Sequence, residues 1–199
     1  MNKLILVTGG ARSGKSSFAE GCLKESEKVT YIATGVSSPD DKEMQSRIKH
    51  HQESRPQHWE TKEGYIDLPV YFNEVKGVEQ NYLFDCATLF TTNYFFYLID
   101  KLYQIDPSFY DEFIEMMSMD DYHFIENEIL IEWKKIIAQL RVCSGENCYI
   151  VTNEIGLGLV PQNKFSRLFR DILGRVNQFL AQEADDVYFV ISGIPQKIK

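Results

Sequence analysis

Apolar runs of strand length recur along the chain at residues 4–8, 29–33, 82–84, 148–152 and 187–192, and helical patterns fill several of the intervals between them. That alternation predicts an α/β fold built on a mostly parallel central sheet. Four of the runs end in small or polar residues, namely Thr8-Gly9, Thr34-Gly35, Asp85 and Asn153-Glu154. Ligands of open α/β sheets sit beyond the carboxyl ends of the strands, so these ends mark the expected binding edge. Ahead of the last run, Phe165, Leu168, Phe169, Ile172, Val176, Phe179 and Leu180 form one apolar stripe of an expected helix, with Arg167, Arg170 and Arg175 among its polar positions. The least regular part spans residues 93–121, where Tyr94-Phe95-Phe96-Tyr97 and Met116-Met117-Ser118-Met119 are interspersed with Asp106, Asp111, Glu112, Glu115, Asp120 and Asp121. Two readings stand there: helices packed against the domain, or a large hydrophobic substrate surface. No repeat, low-complexity tract or Pro/Gly/Ser linker divides the 199 residues, so residues 1–199 are expected to form a single domain.

Charge and composition narrow the classes of function. No uninterrupted apolar stretch approaches the roughly 20 residues of a membrane span, and the run after Met1-Asn2-Lys3 is too short for a secretory signal, so a cytoplasmic location is expected. The formal net charge of −8 opposes attraction to nucleic acid or to an anionic membrane. An anionic nucleotide must then be held by local geometry. The four cysteines, Cys22, Cys86, Cys143 and Cys148, form no CxxC pair and read as free thiols outside any metal site.

The local geometry is supplied by Gly9-Gly10-Ala11-Arg12-Ser13-Gly14-Lys15-Ser16, which fits G-x-x-x-x-G-K-[ST] completely and lies between an apolar strand and a helical segment beginning near Lys15. The expected fold is therefore a three-layer P-loop NTPase domain of the RecA-like kind. Glycines let backbone N–H groups turn toward phosphate oxygens, and the following helix presents its positive end to the same anion. Lys15 is assigned to the β and γ phosphates, and the Ser16 hydroxyl to Mg²⁺. Asp85, at a strand end, is a candidate acidic partner of the metal; a cap on the next turn is the alternative, and Glu154 competes for the metal-side role.

Residues 40–56 open with aspartates and end before Pro56, which predicts a further helix. Met44, Ile48 and His51 share its apolar face, where a packed histidine is the expected role of His51. His50 projects about 100° away with Glu43, Arg47 and Ser54, an exposed imidazole beside a phosphate-binding cation. A neutral imidazole can accept a nucleotidyl group as a covalent intermediate. His58 and His123 lack that context. Trp59 reads as partly buried, with stacking on a base as the alternative.

Together these motifs resemble the bifunctional adenosylcobinamide kinase/adenosylcobinamide-phosphate guanylyltransferase family. The resemblance rests on Val7 through Ser16, Tyr31-Ile32-Ala33-Thr34, Arg47-Ile48-Lys49-His50-His51, Arg55-Pro56, Trp59, Asp85-Cys86 and Thr92-Asn93. It continues through Val151-Thr152-Asn153-Glu154, Gly156, Gly158, Val160-Pro161, Arg167, Phe169-Arg170-Asp171, Gly174-Arg175-Val176-Asn177-Gln178 and Ser192-Gly193-Ile194. It implies that His50 carries GMP. It also implies GTP contacts from the P-loop, from Thr34, Gly35 and Val36, from His51, Gln52, Glu53 and Ser54, from Lys62 and Glu63, and from Asp85. Ala87 and Phe90 depart from the leucine and tryptophan common in the family, and the region of residues 94–121 carries extra residues, changes that fall on the substrate-facing surface.

The activity so implied is phosphorylation of adenosylcobinamide by ATP or GTP, then transfer of GMP to the phosphate with release of pyrophosphate, in a homotrimer with Mg²⁺ as cofactor. Two other readings use the same P-loop. A simpler small-metabolite kinase would leave His50 idle, and a GTP switch would need an Asn-Lys-x-Asp element, of which Asn163-Lys164-Phe165-Ser166 lacks the aspartate.

Overall fold

All five apolar runs form strands. The computed structural model describes residues 3–35, 56–143 and 145–199. In chain order its elements are β1 (Lys3–Gly9), α1 (Lys15–Leu23), β2 (Val29–Ala33), β3 (Glu60–Glu63), α2 (Leu68–Val75), β4 (Asn81–Asp85), α3 (Ala87–Tyr103), a 3-10 turn (Pro107–Phe109), α4 (Tyr110–Met116), α5 (Met119–Val142), β5 (Asn147–Val151), α6 (Lys164–Glu183), β6 (Asp186–Ile191) and β7 (Ile194–Lys197). The sheet runs in the order β3-β2-β4-β5-β1-β6-β7. Every neighbouring pair is parallel except β6 with β7. β3 and β7 were not expected from the apolar pattern. Both are polar four-residue edge strands, held by one neighbour and buried on neither face.

Side chains alternate across the sheet, which divides the core in two. Ile5, Val7, Val29, Tyr31, Leu83 and Val151 pack with Ala19 and Leu23 of α1. Leu4, Leu6, Ile32, Tyr82, Phe84 and Ile150 pack against α2, α3, α5 and α6 on the other face. Helices on both sides of a mostly parallel sheet give the three-layer α/β fold of a P-loop NTPase.

The region of residues 93–121 is helical and largely packed. Phe95, Ile99, Ile114 and Met117 are buried, whereas Phe109, Met116 and Met119 are exposed. α3 and α5 run antiparallel, tied near the sheet by the Trp133 indole N–H donating to Thr91 Oγ1 at 3.1 Å and far from it by the Tyr103 hydroxyl donating to Asp121 at 2.8 Å. With 24 residues α5 is roughly 36 Å long, about twice the length of the five-residue β5 that it leads into. It descends to the amino edge of the sheet, so its first turns overhang the carboxyl edge. The first turns of α6 rise to the same height, where the Lys164 ammonium donates to the Glu115 and Met117 carbonyls at 2.7 and 3.1 Å.

Candidate active site

The turn from β1 into α1 is shaped by two glycines that no other residue could replace without displacing backbone. A Cβ on Gly9, at φ +152°, would lie 2.4 Å from the Val190 carbonyl oxygen, and one on Gly14, at φ +95°, would meet Gly193 Cα at 3.1 Å. Neighbouring strands brace the same turn: Glu154 N–H donates to Gly9 O at 2.9 Å, and Gly193 N–H donates to Ser13 O at 2.8 Å. Gly10, Ala11 and Arg12 are exposed along its outer arc, with Arg12 at φ +56°. Lys15 is only 6% exposed and its ammonium donates to Gly10 O at 2.6 Å. Desolvation lowers its pKa from the ordinary lysine value, while Cys86 and Asp85 oppose that shift. Ser16 follows in the first turn of α1, half-buried. The Ser13 and Thr8 hydroxyl oxygens are buried without a protein partner.

Parallel register lines up the carboxyl ends of the strands. Glu63, Ala33, Asp85, Val151 and Val7 form one row across β3, β2, β4, β5 and β1. Lys62 and Glu63 thus flank the exit of β2, with the Lys62 ammonium 5.2 Å from the centre of the Tyr71 ring. Asp85 stands between that exit and the glycine turn. Its carboxylate accepts from the Tyr31 hydroxyl at 2.8 Å. Asp85 does not cap the next helix: the N-cap of α3 is Cys86, whose Sγ accepts from Leu89 N–H. Burial pushes that thiol up to about 12, so it caps as a thiol.

Residues 5–198 match the model of the Cobinamide kinase / cobinamide phosphate guanyltransferase family. Three similar proteins carry compatible names. The bifunctional adenosylcobalamin biosynthesis protein CobU of Escherichia coli is 43% identical, covering 98% of this chain and 99% of the relative. The CobU of Salmonella typhimurium is 42% identical over the same shares, and CobP of Pseudomonas aeruginosa is 35% identical over 98% and 96%. The chain belongs to this family. It is accordingly a transferase of the cobinamide kinase and guanylyltransferase kind.

In this family member, side chains far apart in sequence hold the edge in shape. Thr34 Oγ1 donates to Cys86 O at 2.8 Å and accepts from Cys86 N–H at 2.9 Å, while Thr34 O accepts from the Asn93 amide at 2.8 Å. Thr34 is therefore a buried clamp, and Gly35 continues the turn beside it. A second clamp fixes the exit of β5. Asn177 on α6 accepts from Thr152 Oγ1 at 2.7 Å and donates to Asn153 O at 3.0 Å, and Thr88 Oγ1 accepts from Asn153 N–H at 2.8 Å. Glu154 turns its carboxylate back onto Gly156 N–H at 2.6 Å. The roles of Tyr31, Thr88 and Asn177 are not readable from sequence, because each acts on a partner at least 24 residues away.

Trp59 is buried in the core beneath β2, which excludes stacking on a base. His58 lies near the Ser26 carbonyl and His123 near Glu126. Val36, His50, His51, Gln52, Glu53 and Ser54, and the helix expected over residues 40–56, lie outside the described residues.

Proposed function

We propose that this chain phosphorylates the aminopropanol hydroxyl of adenosylcobinamide and then transfers GMP from GTP to the resulting phosphate through a GMP adduct on His50. The observation that carries the reading is the strained glycine turn around a buried, partly desolvated Lys15 ammonium, opposite an aspartate fixed by Tyr31. A cation kept out of water interacts strongly with a polyphosphate. Gly9 through Ser16 then cradle the phosphates, and the family resemblance assigns Gly35, Val36, Lys62 and Glu63 to GTP as well.

In the first reaction the acceptor oxygen attacks the γ phosphorus in line, its proton is lost and a nucleoside diphosphate leaves. In the second, a ring nitrogen of His50 attacks the α phosphorus and pyrophosphate leaves. An oxygen of the cobinamide phosphate then displaces the histidine, breaking the P–N bond. Dividing the transfer lets one nucleotide site serve two acceptors. Ser16 and Asp85 fit Mg²⁺, a hydroxyl and a carboxylate on neighbouring element ends, with the second carboxylate oxygen of Asp85 left for an ion. When bound, the ion neutralises charge on the phosphates. We read the enzyme as cytoplasmic, and the assembly as a homotrimer, as the family resemblance implies.

Incubation with α-labelled GTP tests the covalent step. Label bound to the wild type should be released by acid and kept in alkali, as a phosphoramidate is, and His50→Asn should acquire none. His51→Asn should still be labelled. If the wild type acquires no label, the chain is better read as a kinase in which His50 has no part in the chemistry; label on His50→Asn equal to the wild type would put the adduct on another residue.

A further inference from the structure

A cleft of about 400 Å³ opens between α4 and the first turn of α6, apart from the glycine turn. Ile114, Met116 and Phe165 give it an apolar wall, and Asp111, Glu112 and Glu115 give it an acidic one. Asn163 closes one end, but its carboxamide oxygen already caps α6 by accepting from Ser166 N–H. The wall is rigid. Lys164 ties α4 to α6 through two carbonyls, and Phe165 packs on Phe95, Phe96 and Phe169 with centroids 5.1 to 5.5 Å away. Met116, by contrast, lines the cleft while 83% exposed.

The position of the cleft limits what it can serve. Asn177 touches the exit of β5 at the carboxyl edge of the sheet, and Phe165 stands earlier on the same helix, roughly 18 Å along its axis. The cleft therefore overhangs the edge carrying Lys15 and Asp85. Among the described residues its lining carries three carboxylates and no cation, and the neighbouring Lys164 ammonium is turned onto two backbone carbonyls, so the cleft disfavours a second triphosphate by charge. The other substrate of the reaction has the opposite character. A cobinamide is a broad macrocycle with apolar faces, a net positive cobalt–corrin centre and a rim of primary carboxamides that donate to carboxylates.

We propose that this cleft receives one rim of the adenosylcobinamide corrin, with Met116 and Phe165 against the ring and Asp111, Glu112 and Glu115 accepting from its carboxamides. The assignment rests on the function proposed above. The long aminopropanol arm then hangs toward the glycine turn, where the phosphates lie. This arrangement separates recognition of the corrin from phosphorus chemistry, which explains how one acceptor can stay bound through two transfers.

Equilibrium dialysis of the full chain with adenosylcobinamide, followed by corrinoid absorbance, tests the idea. Met116→Arg places a cation and extra bulk at the mouth, and should weaken binding about tenfold or more. The triple variant Asp111→Asn, Glu112→Gln and Glu115→Gln should weaken it without adding bulk. Both should keep the wild-type yield of GMP adduct from GTP alone, a step that needs no corrinoid and reports an intact fold. Binding within twofold of wild type in both variants would overturn the cleft while leaving the proposed function standing. A wild type that binds no adenosylcobinamide would overturn the acceptor reading, and the cleft with it.

Discussion

Lys15 shows how a single residue can be set against the stability of the fold, a cost that the proposed phosphate-binding role explains. Burial lowers its folded pKa below the ordinary 10.5, so the protonated form disfavours folding below the folded pKa, and that penalty fades as pH rises toward 10.5. Lys15→Met removes the charge and keeps the volume. We expect it to melt no lower than the wild type at pH 7 without nucleotide, yet to lose on the order of 10² or more in phosphoryl transfer. A large drop in melting temperature would instead make the Lys15 bond to Gly10 O a structural strut. The Tyr31 hydroxyl acts one step further out, through Asp85. A hydrogen bond to a carboxylate orients it strongly, so Tyr31→Phe should lower kcat about tenfold and raise the Mg²⁺ concentration needed for half-maximal rate. An unchanged Mg²⁺ titration would detach Asp85 from the metal.

At the scale of elements, α5 and α6 are joined by polar groups as well as by packing. Glu126 of α5 is buried and meets the Arg175 guanidinium, which also donates to the Tyr122 hydroxyl at 2.9 Å. Removing the cation strands a buried carboxylate, but Arg175 is itself nearly half exposed, so water softens the loss. Arg175→Met should therefore cost about 1–2 kcal/mol in chemical denaturation. Combining it with Glu126→Gln should restore part of that loss; a fully additive double mutant would mean that the two side chains do not interact. α6 was legible in the sequence because one face alone is buried. α3 was legible only in part: packed helices were one of two readings for residues 93–121, because Thr91, Thr92 and four consecutive aromatics are poor helix formers and burial on several sides erases the single stripe that marks an amphipathic helix. The strands β3 and β7 escaped for the opposite reason: edge strands bury too little to need apolar residues. The glycine turn was readable because its chemistry is contiguous, whereas the Tyr31–Asp85 pair and the Asn177 clamp arise only when the parallel register is formed.

Across the whole molecule, the two edges of the sheet have separate duties. The carboxyl edge carries strained glycines, a desolvated lysine and unpartnered hydroxyls. The amino edge is fastened by ionic contacts: Asp185 accepts from Arg141 at 2.6 Å and from Leu4 N–H at 2.8 Å, and Asp186 meets Lys3 and Lys197 at 2.6 Å each. These contacts join the end of α5, the start of β1 and the end of β7. Arg141 lowers the Asp185 pKa, and Lys197 with Lys3 lowers that of Asp186, below the ordinary 3.8. A lowered folded pKa means stability that is present above the unfolded value and lost as pH falls through the folded one. Asp185→Asn should therefore melt below the wild type at pH 7, and the gap should close as pH drops from about 4 through the folded pKa, where the wild-type carboxyl is also neutral. Because Asp185 lies at the edge opposite Lys15, the variant should form the GMP adduct at the wild-type rate at temperatures well below its transition. Melting curves from pH 7 to pH 2 and a labelling time course are sufficient for this test. A gap that stays constant to pH 2 would rule out the ionic origin of the stability, and a slowed adduct would show that the two edges are coupled through β1.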